Sequence, residues 1–345
     1  MSTRTASDLS VRSSLGPVLG SLCTGYGGLD LGVLAAFGGG RIAWCADLDP
    51  QVQQVLAARM PGVPNLGDLR LVDWNAVAPV DVLAVGFPCQ EISAAGQRKG
   101  IEEGTRSGVW IDIVAGIRVL RPQFVVVENV AALRWRNGGL HRVLGDLAAA
   151  GYDAVWRSIR ASDIGAPHRR ERVFLLAWSA ASDTTGTRRR QPRCRRSRSA
   201  PCPRSPGESA RRRQRDAYSG PASTTWLQAR VNAVVQGNSF RTQPRSSTNW
   251  NAFSDVLTRW ESAIGRATPH PTVPGKQGGP VLSPAFVEHL MGLPPGWLTD
   301  LPLPRVNQLR ILGNGVVPHQ AALAMTMLLD DLCQMAHGQA HERAA

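Results

Sequence analysis

Cys89 stands directly after Pro88, just past the apolar run of "DVLAVGFPCQEIS" at 81–93. Glu128 follows a second such run, "QFVVVENV". Ligands of open α/β sheets bind in the crevice outside the carboxyl ends of the strands, so a thiol and a carboxyl placed there would face one another's substrate. As a pair they supply a nucleophile and a proton donor or acceptor. A lone cysteine is ordinarily a small buried hydrophobe. One set outside the apolar run, behind a proline that turns its sulfur outward, is better read as reactive. A third group lies in "APHRRERVFLLAW" at 166–178, where Arg169, Arg170 and Arg172 precede an apolar strand. The guanidinium fork matches phosphate or a base oxygen; an exposed, charged strand start is the equal alternative.

A small-molecule pocket is suggested by "CTGYGGLDLG" at 23–32, where Gly25, Gly27 and Gly28 lie between a strand and a helix. Such a turn lets a ligand approach the backbone closely. Asp47 ends the next strand, where an acid suits a ribose diol, and Asp49 follows at once. Asp68, in "NLGDLR", comes after another expected strand and could reach a base amine. Helix-capping aspartates around a tight turn are the alternative. The turn lacks G-x-G-x-x-G spacing and a P-loop lysine, which argues against a dinucleotide or a triphosphate. An adenosine-type ligand such as S-adenosylmethionine remains. "LRILGNGVVPHQAAL" at 309–323 reads as a tight turn at Gly313-Asn314-Gly315 and a helix entered at Pro318.

The elements that must hold these groups alternate over the first 179 residues: strand, Gly-rich turn, helix, strand, then a helix opened by Pro50. The runs "DVLAVGF" and "QFVVVENV" are apolar without alternation, as strands covered on both faces are. Helices are expected at 108–120 and 139–150, and a strand pair at 152–160 and 172–179. The fold class is therefore α/β, a Rossmann-like doubly wound and mostly parallel sheet. Further helices are expected at 251–264, 284–292 and 319–336, separated by a Pro/Gly linker at 267–284 and a loop at 293–307.

Charge divides the chain unevenly. Of the net +13, residues 181–250 carry +12, with fifteen arginines, no lysine and only Asp183, Glu208 and Asp216 as acids. A polyanionic partner is the natural reading; a solvated basic tract is the alternative. The six cysteines are scattered, without C-x-x-C or zinc spacing, so neither a disulfide framework nor a metal site is expected. No apolar run is long enough for a membrane helix and no secretory signal is visible, so a soluble cytoplasmic protein is expected.

Taken together, these stretches resemble the DNA cytosine-5 methyltransferase family, in the family's order. "LCTGYGGLDLG", "CADLDP" and "NLGDL" look like its first three motifs. "GFPCQEIS" resembles the nucleophile motif, "ENV" the glutamate motif and "HRRERVFLLA" the arginine motif. "LSPAFVEHLMGLPPGW" and "LRILGNGVVPHQA" resemble the ninth and tenth. The passage from "RWESAIGR" to "LSPAFVEHLMGLPPGW" is similar to methylases of actinobacteria and their phages.

The resemblance implies the S-adenosylmethionine-dependent methyltransferase fold with a small, irregular target-recognition region. It implies methyl transfer to carbon-5 of a cytosine swung out of duplex DNA. Cys89 would attack carbon-6, Glu128 would bond the N3 edge, and Arg170 and Arg172 would hold the flipped nucleotide. S-adenosylmethionine would rest on Gly25, Gly27 and Gly28, with Asp47 on the ribose and Asp68 on the adenine amine. Cys23, Tyr26, Leu48 and Pro88 would flank it, and Asn314 and Val316 would close the site. Cys23 stands where the family usually carries an aromatic residue, His168 where it carries a glutamine, and Asp47 where it carries a glutamate. The implied organisation is a tail to 16, a catalytic domain at 17–179, a basic recognition region at 180–280, a completing segment at 281–336 and a tail at 337–345. Duplex DNA is the implied partner, with a cognate restriction endonuclease as a further candidate, and a monomer is expected. The rival readings are an RNA methyltransferase of the same fold, a nucleic-acid-binding relative without catalysis, and a dinucleotide oxidoreductase, which the glycine spacing disfavours.

Overall fold

The computed structural model describes residues 16–88, 109–135, 138–179, 248 and 250–342, with side chains as far as 335. Cys89 and the basic segment up to 247 lie outside the described residues.

Six strands form one sheet: β1 (Val18–Leu22), β2 (Arg41–Ala46), β3 (Val82–Val85), β4 (Phe124–Val130), β5 (Tyr152–Arg160) and β6 (Glu171–Ser179). Their spatial order is β2-β1-β3-β4-β6-β5. The four strands from β2 to β4 are mutually parallel, and β6 runs antiparallel to both β4 and β5. The chain moves outward from β1 to β2 on one side and from β3 to β4 on the other. The switch point of this doubly wound sheet is thus between β1 and β3, where such sheets open a crevice.

Helices cover both faces, which explains the unbroken apolar runs. Val125, Val127, Val173 and Leu175 pack on one face with α3 (Val109–Leu120) and α4 (Leu140–Ala149), through Trp110, Ile113, Val143 and Leu147. The alternate residues Val126, Phe174 and Leu176 pack on the other with α1 (Gly28–Ala36) and the closing helix α8 (Pro318–Glu342), through Leu29, Val33, Ala324 and Met325. Each large apolar side chain so buried contributes about 1.5–3 kcal/mol. A third cluster joins Tyr26, Leu31 and Val55, the last on α2 (Pro50–Arg59), to Trp260 and Ile264 of α5 (Ser254–Ile264) and to Ile311 and Leu312 of α7 (Arg305–Asn314). The core thus draws on residues well before 281.

Local starts follow helix-capping chemistry. Asp49 caps α2, accepting from the amides of Gln51 (2.9 Å) and Val52 (3.2 Å), with Pro50 at the first helical position. Ser283 and Pro284 do the same for α6 (Pro284–Leu290).

Several expectations are corrected. The stretch expected as a linker contains a short antiparallel hairpin, β7 (Thr272–Pro274) and β8 (Pro280–Leu282). The loop expected up to 307, and the turn expected at Gly313-Asn314, instead give way to α7, with only Gly315 beyond its end. The strand expected before Asp68 is a single bridge between Cys45 and Asn65. Glu128 lies inside β4, not past it. The closing helix continues beyond 336 to Glu342. Among the described residues no helix is long and apolar enough to cross a membrane.

Candidate active site

Strand register aligns the chemistry. Leu22 of β1, Ala46 of β2 and Val127 of β4 all lie level with Val85, the last residue of β3, or with its direct partner. One residue further along each strand direction stand Cys23, Asp47, Gly86 and Glu128, in a row along the carboxyl edge. A Cβ at Gly86 would lie 3.5 Å from the Cys23 carbonyl oxygen and 3.7 Å from Oε2 of Glu128. The glycine therefore keeps the cofactor side and the acid side of the crevice within one side chain's width. Beyond it, Phe87 is buried and Pro88 is exposed at the crevice mouth, one residue short of Cys89.

The antiparallel strand β6 brings its beginning, not its end, to this edge. Glu128 pairs with Phe174 and Val130 with Arg172, so Arg172 is the diagonal neighbour of Glu128 on one face. Nε of Arg172 lies 3.0 Å from Oε1 of Glu128, in a pair whose side chains are 14% and 9% exposed. Burial pushes the Glu128 carboxyl upward, and Arg172 and then Arg170 pull it back. A carboxyl balanced in this way can hold a proton at Oε2 while Oε1 stays on the guanidinium.

Arg170 is placed differently from Arg172. Its Nη1 donates to the Gly313 carbonyl (2.6 Å) and its Nη2 to the Gly315 carbonyl (2.7 Å). Its own carbonyl accepts from the Ala161 amide and from Nε2 of Gln320. It thus joins β6 to the C-terminal segment. Arg169 is exposed, and Nε2 of His168 donates to the Leu290 carbonyl at 3.1 Å.

On the cofactor side, the amide of Gly27 donates to the Thr24 carbonyl (3.0 Å), closing the turn, and the amide of Gly25 donates to Oδ2 of Asp47 (2.9 Å). Gly25 has φ +57° and open space where a Cβ would be. Burial raises the Asp47 carboxyl, and the amides of Gly25 and Asp49 draw it down. Asp49 is committed to capping and to Arg310 (2.6 Å), which holds it low. Asp68 caps a 3-10 turn at Leu69–Leu71 and is paired with Arg70, whose hydrogen bond likewise holds it low. Leu48 is 61% exposed beside Asp47. Cys23 is half-buried with φ +53°, and burial, then Asp47 and Asp68, push its thiol up to about 12.

Tyr26 does not offer its ring to a ligand. It is 0% exposed, its hydroxyl donates to the Val316 carbonyl at 2.6 Å, and its ring fills the space a Cβ on Gly315 would need. Gly28 likewise has Val316 O where its Cβ would be. Asn314 is exposed at the end of α7, and Val316 is buried at this joint. The sequence reading missed Asp30, Trp297 and Arg59. Asp30 is fully buried in the first turn of α1, and burial raises it to about 7 even though the Ser21 hydroxyl and its own amide draw it down. An acid in an otherwise apolar helix start was the signal available.

The fit to an adenosine-type cofactor is good. An open glycine turn, the Asp47 carboxyl at the end of β2 and the exposed Leu48 beside it offer backbone approach, a diol acceptor and an apolar platform. The C-5 cytosine-specific DNA methylase family model matches residues 19–325. The chain belongs to that family. Among curated members of the methylase family, it is 33% identical to the type II methyltransferase M.NlaX of Neisseria lactamica over 159 residues, 46% of this chain and 50% of that one. It is 34% identical to M2.BsuMI of Bacillus subtilis over 163 residues, 46% of this chain and 41% of the relative. The matched stretches thus span about half of those relatives. The methylase fold is also that of the Dnmt2 methyltransferase of S. pombe, with TM-score 0.53, 15% identity, and coverage of 92% of this chain and 99% of that one. The methyltransferase EhMeth of Entamoeba histolytica superposes with TM-score 0.53, 14% identity and 91% and 98% coverage.

Proposed function

We propose that this chain transfers a methyl group from S-adenosylmethionine to carbon-5 of cytosine in duplex DNA. The observation that carries the reading is the buried Glu128–Arg172 pair, 3.0 Å apart at the mouth of the same crevice as the glycine turn and Asp47. A cytosine stacked in a duplex presents neither face to a side chain, so the target is swung out, at a cost of about a few kcal/mol. Glu128 then meets the N3 edge. Protonated at Oε2, it donates to N3 and draws electron density from carbon-6.

The Cys89 thiolate adds to carbon-6, and the electron pair moves toward carbon-5. Carbon-5 takes the methyl group that S-adenosylmethionine supplies when bound. Loss of the carbon-5 proton to a base and departure of the Cys89 sulfur restore the ring. Arg172 keeps Glu128 oriented throughout. Gly25, Gly27, Gly28 and Asp47 would hold the cofactor, with Asp68 joining them only on parting from Arg70; Leu48 and Pro88 would flank it, and Asn314 and Val316 would bound its far side. The basic segment would grip phosphates. This reading makes the chain a monomer acting in the cytoplasm, with a restriction endonuclease of the same specificity as a candidate partner.

The test is methyl transfer to duplex DNA by the wild type, Cys89→Ala and Glu128→Gln, with sequencing of the modified cytosines. Cys89→Ala should abolish turnover while still binding DNA. Glu128→Gln should lose about 10²- to 10⁴-fold, the range of a positioned proton donor. DNA carrying 5-fluorocytosine should trap a denaturant-stable adduct with the wild type. Turnover by Cys89→Ala, or modification of RNA in preference to duplex DNA, refutes the reading.

A further inference from the structure

The cofactor turn is held from the far end of the chain. Nε1 of Trp297 donates to the Tyr26 carbonyl at 3.1 Å in a buried contact, 271 residues away in sequence. That carbonyl belongs to the peptide whose amide, on Gly27, closes the turn onto Thr24. With the Tyr26 hydroxyl on Val316, both polar ends of Tyr26 are fixed by the C-terminal segment.

The loop that presents Trp297 is itself gripped on three sides. The carboxylate of Glu288, 2% exposed, accepts from the amides of Gly296 (2.7 Å), Leu298 (2.7 Å) and Thr299 (3.1 Å). Arg59 of α2 donates to the Trp297 carbonyl (2.7 Å) and to that of Gly296, with its guanidinium 5.8 Å from the indole centroid. Nε2 of Gln308 reaches the Leu298 carbonyl at 3.3 Å. A buried carboxylate with a full set of donors, facing a guanidinium across one loop, is far more machinery than packing a tryptophan requires.

We infer that Trp297 is a positioning residue for the cofactor turn: its indole N–H sets the Tyr26–Gly27 peptide and so the backbone on which the cofactor rests. The inference rests on the proposed reading of that turn as a cofactor site. Its test is direct titration of S-adenosylhomocysteine by calorimetry, which needs neither DNA nor turnover. Trp297→Phe keeps an aromatic ring under Arg59 and removes the donor together with one ring of the indole, a volume loss that the packing control below accounts for. The expected result is about tenfold weaker binding, corresponding to about 1.4 kcal/mol for one buried hydrogen bond. In turnover, KM for S-adenosylmethionine should rise by about the same factor, with a much smaller change in kcat.

Val143→Ala, on the buried side of α4 on the opposite face of the sheet, is the control for general destabilisation: it should lower Tm without moving the dissociation constant. Should Trp297→Phe fail to fold, Arg59→Lys, which loses the fork on the 296–297 carbonyls, carries the same expectation. Affinity within twofold of wild type in a folded variant, or a loss matched by Val143→Ala, overturns the inference and leaves the proposed function standing. Absence of binding by the wild type instead overturns the cofactor assignment itself.

Discussion

Glu128 and Arg172 form an ion pair that is nearly out of water, and removing one partner of such a pair is far costlier than the pair's net contribution. Arg172→Met should therefore destabilise the protein by about 3–5 kcal/mol at pH 8. Without the guanidinium, the native carboxyl is pushed further up by burial, so the folded state binds a proton more tightly than the unfolded one. Stability is then retained at low pH and lost as pH rises through the native pKa. Urea denaturation at pH 5.5 and 8 should show the smaller loss at pH 5.5. Asp30 obeys the same sign. Its native pKa, raised to about 7 from 3.8, means that its own contribution to stability declines from pH 4 to 7. Asp30→Asn should raise Tm over wild type more at pH 8 than at pH 5, by scanning calorimetry. Both positions were visible as acids, and Glu128 was legible because a carboxyl at the end of an apolar run is unusual. Asp30 was not, because nothing in "GGLDLG" shows that its helix start would be sealed by residues near 316.

At the scale of elements, the close approach of the first helix to the C-terminal segment depends on residues with no side chain. A Cβ on Gly315 would lie 1.8 Å from Cε1 of Tyr26, so Gly315→Ala must part the joint on which Arg170, Tyr26 and Val316 converge. The expected outcome is a loss of several kcal/mol in chemical denaturation, on the scale of overpacking at a rigid site, about 1–3 kcal/mol or more. Helix α7 escaped the sequence reading because Asn307, Gly313 and Asn314 are poor helix formers and Pro302 and Pro304 precede it. What makes it a helix is burial of Gln308, Ile311 and Leu312 and the Arg310–Asp49 pair to α2. Asp68 was read as an open acceptor, yet Arg70, two residues on, already occupies it.

The whole molecule couples these parts through proton and salt linkage. His289 is buried, with a pKa lowered from 6.5 to about 3 by desolvation and then by Arg266. The unfolded chain binds the extra proton, so this group withdraws stability as pH falls from 6.5 toward 3, at up to about 1.4 kcal/mol per pH unit. Asp30 acts oppositely over most of that window and offsets part of this loss in the wild type. In Asp30→Asn the acid sensitivity of His289 should emerge as a falling Tm below pH 6. The basic segment carries nearly all the net charge, and the grip on phosphates proposed for it would gain from released counterions. The logarithm of the DNA association constant should fall linearly with that of salt, by about 0.9 per phosphate contacted. Replacing Arg188, Arg189 and Arg190 with glutamine should flatten the slope by up to about 3, read by fluorescence anisotropy.

Residue types and spacing alone singled out an acid, an arginine pair and a glycine turn that the fold gathers along one edge of the sheet, because two-sided burial leaves little besides that edge for polar chemistry. They also marked the doubly wound sheet. Which arginine meets the acid, which aspartates remain open to a ligand, and which tryptophan reaches the glycine turn were decided by the tertiary structure. Those outcomes depend on register across an antiparallel strand and on contacts between groups nearly 300 residues apart, whose distances no local pattern encodes.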